Sequence, residues 1–145
     1  MTRAKWGVTS DEGEGPVMSE IIKPSNYKDL VVWQKSLVLV RKVYLLTRDF
    51  PADERFGLVS QMRRASVSIP SNIAESQARR TTPDFVRFIS NSEGSAAELE
   101  TQLIISVDLQ FCSNEDAEEC LGLIDELRRM MNAMRRTLLA KSPRA

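Results

Sequence analysis

The residues of this sequence whose type and spacing could do chemistry are arginines set in adjacent pairs: Arg63 with Arg64, Arg79 with Arg80, Arg128 with Arg129, and Arg135 with Arg136. A guanidinium is a permanent cation with a planar fork of donors that matches phosphate and carboxylate. The chemistry on offer is therefore the gripping of anions, not the transfer of atoms. Residues seven apart stack along one side of a helix, so 128/135 and 129/136 form a stripe that Lys141 and Arg144 extend. RNA or DNA backbone suits such a stripe, each contact releasing counterions and making affinity fall with salt. The plain alternative is a solvated face whose cations favour the negative end of the helix. Arg63 and Arg64 point about 100° apart. One is expected to reach acids such as Glu98 or Glu100 on another helix, the other to face solvent or a neighbouring subunit. Cross-helix pairing is the favoured reading for these two.

The carboxylates offer less. Glu75, Glu98 and Glu100 resemble metal ligands only if a Glu-x-x-His partner exists, and the chain has no histidine. That absence also removes Ser-His-Asp and Cys-His catalysis and the His-containing zinc sites. Cys112 and Cys120 are the only cysteines, too few for a Cys-only zinc site or a disulfide framework. No catalytic residue, cofactor or metal is expected. Ser68, Ser71, Asn72 and Glu75 surround Pro70. Their expected work is to satisfy backbone groups freed by a proline kink, in preference to forming a ligand pocket.

At 145 residues the chain has the length of one domain, and its 42% hydrophobic content with few Gly and Pro is helix-leaning. No apolar run approaches the roughly 20 residues of a membrane span, and the N-terminus lacks a secretory apolar segment. A cytoplasmic location is expected. Formal net charge is zero, yet residues 27–80 carry +5, residues 81–126 carry −10 and residues 127–145 carry +6. Opposed blocks of charge suggest complementarity within or between subunits as readily as an outside polyanion.

These residues need elements to position them. Residues 1–25, with their SDEGEGP run, read as a disordered tail. The ordered pattern starts just after Met18, which marks that residue as a candidate translation start. Residues 26–141 read as the bundle and 142–145 as a short C-terminal tail. Helix 1 is expected from about Asp29 to Thr47, with a seam of Leu30, Trp33, Leu37, Val40, Tyr44 and Thr47. A second row, Val32, Leu39, Val43 and Leu46, makes its apolar stripe wider than one neighbour requires. With Val31 and Leu58 as exposed candidates, that width argues for a partner surface. Helix 2 begins near Asp53 to Phe56 with Val59, Met62, Ser66, Ile69 and Ile73 inward, and Pro70 should kink or open it. Helix 3 starts with Thr82 as N-cap and Pro83 first, its inner row being Phe85, Phe88, Ser92, Ser95, Leu99 and Gln102 or Leu103. Helix 4 follows Ser113, with Ala117, Cys120, Ile124, Leu127, Met131, Met134 and Leu138 inward. Four such helices on short loops predict an all-α, antiparallel up-down four-helix bundle.

The segments DLVVWQKS (29–36), RDFPADERFGLVSQMRRASVSIPSNIAES (48–76), FVRF (85–88) and GSAAELETQL (94–103) resemble the family of proteins encoded in intervening sequences of bacterial large-subunit ribosomal RNA genes. That family is similar in fold to the accessory variability determinant of diversity-generating retroelements. The resemblance covers about residues 27 to 140. It implies a four-helix bundle assembled into a ring-like homopentamer, with no established enzymatic activity and a nucleic-acid role. Through the matching motifs it implies structural parts for Arg64, Pro70, Asn72, Glu75, Gly94, Ser95, Glu98 and Glu100. Ser76 stands where the family usually has Gly, Asn91 to Glu93 where it has small residues, and Leu109-Gln110-Phe111 where it has an LGY-like end.

The expected function is that of a non-catalytic, oligomeric binding or scaffold protein. Structured RNA or DNA would be held by Arg63, Arg79, Arg80, Arg128, Arg129, Arg135 and Arg136. The alternative is a protein adaptor using the acidic surface of helix 3.

Overall fold

The computed structural model describes residues 26–141; the tails expected over 1–25 and 142–145, and the start suggested at Met18, lie outside the described residues. Four α-helices carry the fold: α1 Val31–Thr47, α2 Leu58–Gln77, α3 Thr82–Asp108 and α4 Asn114–Lys141. α1 packs against α2 and α4, and α3 packs against the same two, so consecutive helices are neighbours in an up-down four-helix bundle.

Local chemistry sets the helix ends. A short 3₁₀ turn, Tyr27–Asp29, precedes α1, and Tyr27 meets Trp33 edge-on at 5.4 Å. Another turn, Ala52–Glu54, precedes α2, where Glu54 Oε1 accepts from Leu58 N at 3.1 Å and substitutes for a cap. The N-cap of α3 is Thr81, one residue before the expected Thr82: its Oγ1 accepts from Asp84 N, and Pro83 lies within the first turn. Two consecutive threonines make the choice open in sequence, and the reach to Asp84 N decides it. Ser113 caps α4 as expected, accepting from Asp116 N at 3.1 Å. α3 closes on Gln110, whose φ of 64° is left-handed. Gln110 N donates to Val107 O and Phe111 N to Ser106 O, the paired bonds of a Schellman ending. This turn aims Phe111 at Phe50, 5.6 Å away, so one aromatic pair closes each end of the bundle.

The core is a column of Leu39, Val43, Met62, Ile69, Ile89, Leu99, Leu103, Ile124, Leu127 and Met131, each fully buried. The inner rows expected for α2 and α4 are buried apart from a half-exposed Met134. In α3, Phe88 and Ser95 of the expected inner row are only half-buried. In α1 the buried row is Val32, Ser36, Leu39, Val43 and Thr47, not the seam through Trp33, Leu37, Val40 and Tyr44. Ser36 makes this row possible because its hydroxyl donates to Trp33 O at 2.7 Å and enters the core already satisfied. Leu58, expected exposed, packs against the core, whereas Val31 is 44% exposed.

The opening expected at Pro70 does not occur: α2 runs unbroken through a buried Pro70. Polar groups flank it on both sides. Asn72 Nδ2 donates to Ser68 O and Ser68 Oγ, both at 2.9 Å, and Ser92 Oγ donates across to Ile69 O at 3.0 Å. Ser95 Oγ donates to Ser68 Oγ at 2.8 Å, completing a polar seam between α2 and α3 where Ala65, Ser66 and Ala96 are buried and small.

Candidate functional site

Most of the arginines proposed for anion contact are engaged inside the chain. Arg135 makes a two-pronged contact with Glu93, both bonds 3.2 Å, and donates to Asn132 at 2.8 Å. Arg128 pairs with Glu100, and Arg129 with Asp125 one turn away. Arg79 binds Glu75 at 2.9 Å and lies over the Phe88 ring. Arg63 does not reach Glu98 or Glu100. It turns toward α1, where Nε donates to Thr47 Oγ1 at 3.0 Å and Nη2 to Tyr44 O at 3.3 Å, with the guanidinium 4.4 Å from the Tyr44 ring centre. A cation there meets a carbonyl of the last turn of α1, at the negative end of that helix. Arg64, Arg80 and Arg136 are exposed and make no such bond.

These pairs obey a register. Lys35 meets Glu126 at 3.1 Å, and seven residues later Lys42 meets Glu119 at 3.2 Å, seven residues earlier on α4. The same step relates Glu93–Arg135 to Glu100–Arg128. α4 thus offers acids to α1 and cations to α3, as antiparallel neighbours require. The basic stripe read along α4 splits accordingly, its 128/135 edge turned to α3 and its 129/136 edge left outside.

The carboxylates expected to be far-fetched metal ligands are kept apart. Glu75 goes to Arg79 and Glu100 to Arg128, while Glu98 accepts from Gln102 at 3.4 Å. No group of three or more metal-ligating side chains forms among the described residues. Gly94 is exposed, and a Cβ there would meet nothing, so packing within the chain does not require glycine at that position. The thiols are passive: burial pushes Cys120 up to about 11, and burial with the nearby Asp116 raises Cys112 as well.

What sequence reasoning missed is a groove. Between α1 and the start of α2 lies an open hollow of about 670 Å³. Tyr44, Phe56 and Val67 give it an apolar floor and rim, and Arg55, Arg63 and Arg64 give it positive charge with no carboxylate in its lining. Phe56 is 88% exposed. The α1–α2 seam carries no cross-helix ion pair among the described residues, unlike both seams of α4. The signal available in sequence was Arg55-Phe56 beside a 20-residue helix whose first acid is Glu75.

Comparison with known proteins assigns the fold. Residues 28–133 match the family described as 23S rRNA-intervening sequence protein. The chain belongs to that family. A crystal structure of a protein of unknown function from the S23 ribosomal protein family of Bacteroides thetaiotaomicron VPI-5482 shares 21% identity. The match covers 72% of this chain and 98% of that one at a TM-score of 0.66. No curated protein matches. No helix among the described residues of this intervening-sequence family member is long and apolar enough to cross a membrane.

Proposed function

We propose that this intervening-sequence family member is a non-catalytic, cytoplasmic binding or scaffold protein that works as a homo-oligomer. The carrying observation is the α1–α2 groove: an arginine-rimmed apolar surface, open in the isolated chain, in a bundle whose other charges are largely paired off. Aromatic side chains and arginine, which this groove exposes together, are the types enriched where proteins meet. Light scattering across protein concentration tests the assembly: a mass of several chains that survives dilution to micromolar supports it, and a monomer at every concentration refutes it.

A second reading, contact with RNA or DNA, is favoured by one observation. Arg80, at the α2–α3 turn, and Arg136 with Lys141, near the end of α4, are unpaired and share one end of the bundle. Copies in an assembly would multiply that weak contact. Fluorescence anisotropy with a labelled structured RNA and a matched DNA, titrated across salt, measures it. A linear fall of log affinity with log salt, lost in Arg80→Glu/Arg136→Glu, supports backbone contact. No binding at low salt favours the protein-adaptor alternative.

A further inference from the structure

We propose that the arginine-rimmed groove between α1 and α2 receives the outer face of α3 from a second copy of this chain, head to tail. The inference rests on the homo-oligomeric reading above and names the two surfaces that would meet.

The outer face of α3 is the second unpartnered surface of the bundle. Its C-terminal half exposes Ile104 at 56%, Ile105, and Leu109 at the helix end. From Phe88 to Asp108 the helix has no lysine or arginine. Of its four acids there, Glu93 and Glu100 are taken by α4, while Glu98 and Asp108 have no cation partner among the described residues. The groove presents the complement: exposed Phe56, Tyr44 and Val67 beside unpaired Arg64, with Arg55 resting only on the Phe56 ring at 5.7 Å.

Charge also decides the symmetry. A groove facing another groove would set arginine against arginine, and two α3 faces would set acid against acid; like charges brought together at an interface oppose the contact. A two-fold contact of either surface with itself is therefore disfavoured, and groove against α3 face is the complementary choice. Such a heterologous contact leaves one surface of each kind open at the ends, so it continues until it closes into a ring or grows as a filament.

The test uses the full-length chain and three variants, with helix content by circular dichroism as the folding check. A groove variant, Arg64→Glu, and an α3 variant, Asp108→Arg, each put like charges together, and each should weaken assembly about tenfold or more by light scattering. Both positions are exposed, so the bundle should stay folded. The chain carrying both reversals restores opposite charges across the contact and should reassemble. Mixing the two single variants should give a species larger than either alone, because the intact groove of one meets the intact α3 face of the other. If the wild type is assembled and either single variant remains fully assembled, the assignment of surfaces is overturned and the oligomer stands. If the double variant stays dissociated while folded, the pairing of these two surfaces is overturned. A monomeric wild type overturns this inference together with the oligomeric reading.

Discussion

If Arg135 serves the bundle and not a ligand, a double-mutant cycle should show it. Arg135 and Glu93 meet through two bonds of 3.2 Å, Asn132 braces the guanidinium at 2.8 Å, and the side chains are 31% and 22% exposed. Exposed ion pairs couple by about 0.2 to 1 kcal/mol, with bidentate, shielded arginine pairs at the upper end. The expected coupling between Arg135→Met and Glu93→Gln is about 1 kcal/mol. Lys42 and Glu119 form the control, since they share a single contact of 3.2 Å and Glu119 is 71% exposed. Their coupling should stay under about 0.5 kcal/mol. Urea unfolding at one fixed protein concentration reads both cycles, because self-association would otherwise move the midpoints. With a slope of about 2 kcal/mol per molar, the Arg135 coupling corresponds to a midpoint displacement of about 0.5 M. Adding salt should erase the Lys42 term before the Arg135 term. Equal couplings, or a larger one for Lys42, would refute the argument that this arginine is structural.

Three further outcomes follow from local geometry. Gln110→Gly should stabilise the fold by about 0.5 to 1 kcal/mol in the same urea assay, because a left-handed φ of 64° suits glycine and strains a side chain. Gly122→Ala should also stabilise, by about 0.8 kcal/mol, since this mid-helix glycine is exposed and an added Cβ meets nothing. Cys120 makes stability fall at alkaline pH. Below its unfolded value of 9.0 the thiol is neutral in both states, whereas above it the unfolded chain ionises first, and stability drains until the folded thiol titrates at about 11. Cys120→Ser should flatten that slope in melts taken from pH 8 to 11.

The bundle was legible because its rows are regular. Val59, Met62, Ile69 and Ile73 on α2, and Cys120, Ile124, Leu127 and Met131 on α4, repeat at helical spacing and are buried where expected. α1 was not legible in the same way, since both of its rows are apolar and the buried one passes through Ser36. Its hydroxyl bonds to Trp33 O, so it costs the core little, yet it looks polar in a sequence. The arginine partners were hidden for another reason. A side chain of that length chooses among neighbours on helices whose register is a property of the packed bundle, so Arg63 could turn to Tyr44 as readily as to an acid. The groove was hidden because it is a gap between elements, and no spacing within one element encodes it.

The seven-residue step of the α4 ion pairs limits the ways this protein can assemble wrongly. A displacement of α4 by three or four residues misaligns all four pairs at once, because no charge of the ladder then lies opposite its complement. A displacement by seven keeps one pair on each side, so electrostatics alone would tolerate that single error. The aromatic contact at the corner between α3 and α4 is what forbids it. Phe50 holds Phe111, three residues ahead of α4, and the turn at Gln110 leaves no slack for two helical turns of travel. Orientation is therefore set by charge and position by the corner, and a chain relieved of Phe111 would be free to stop at the wrong rung.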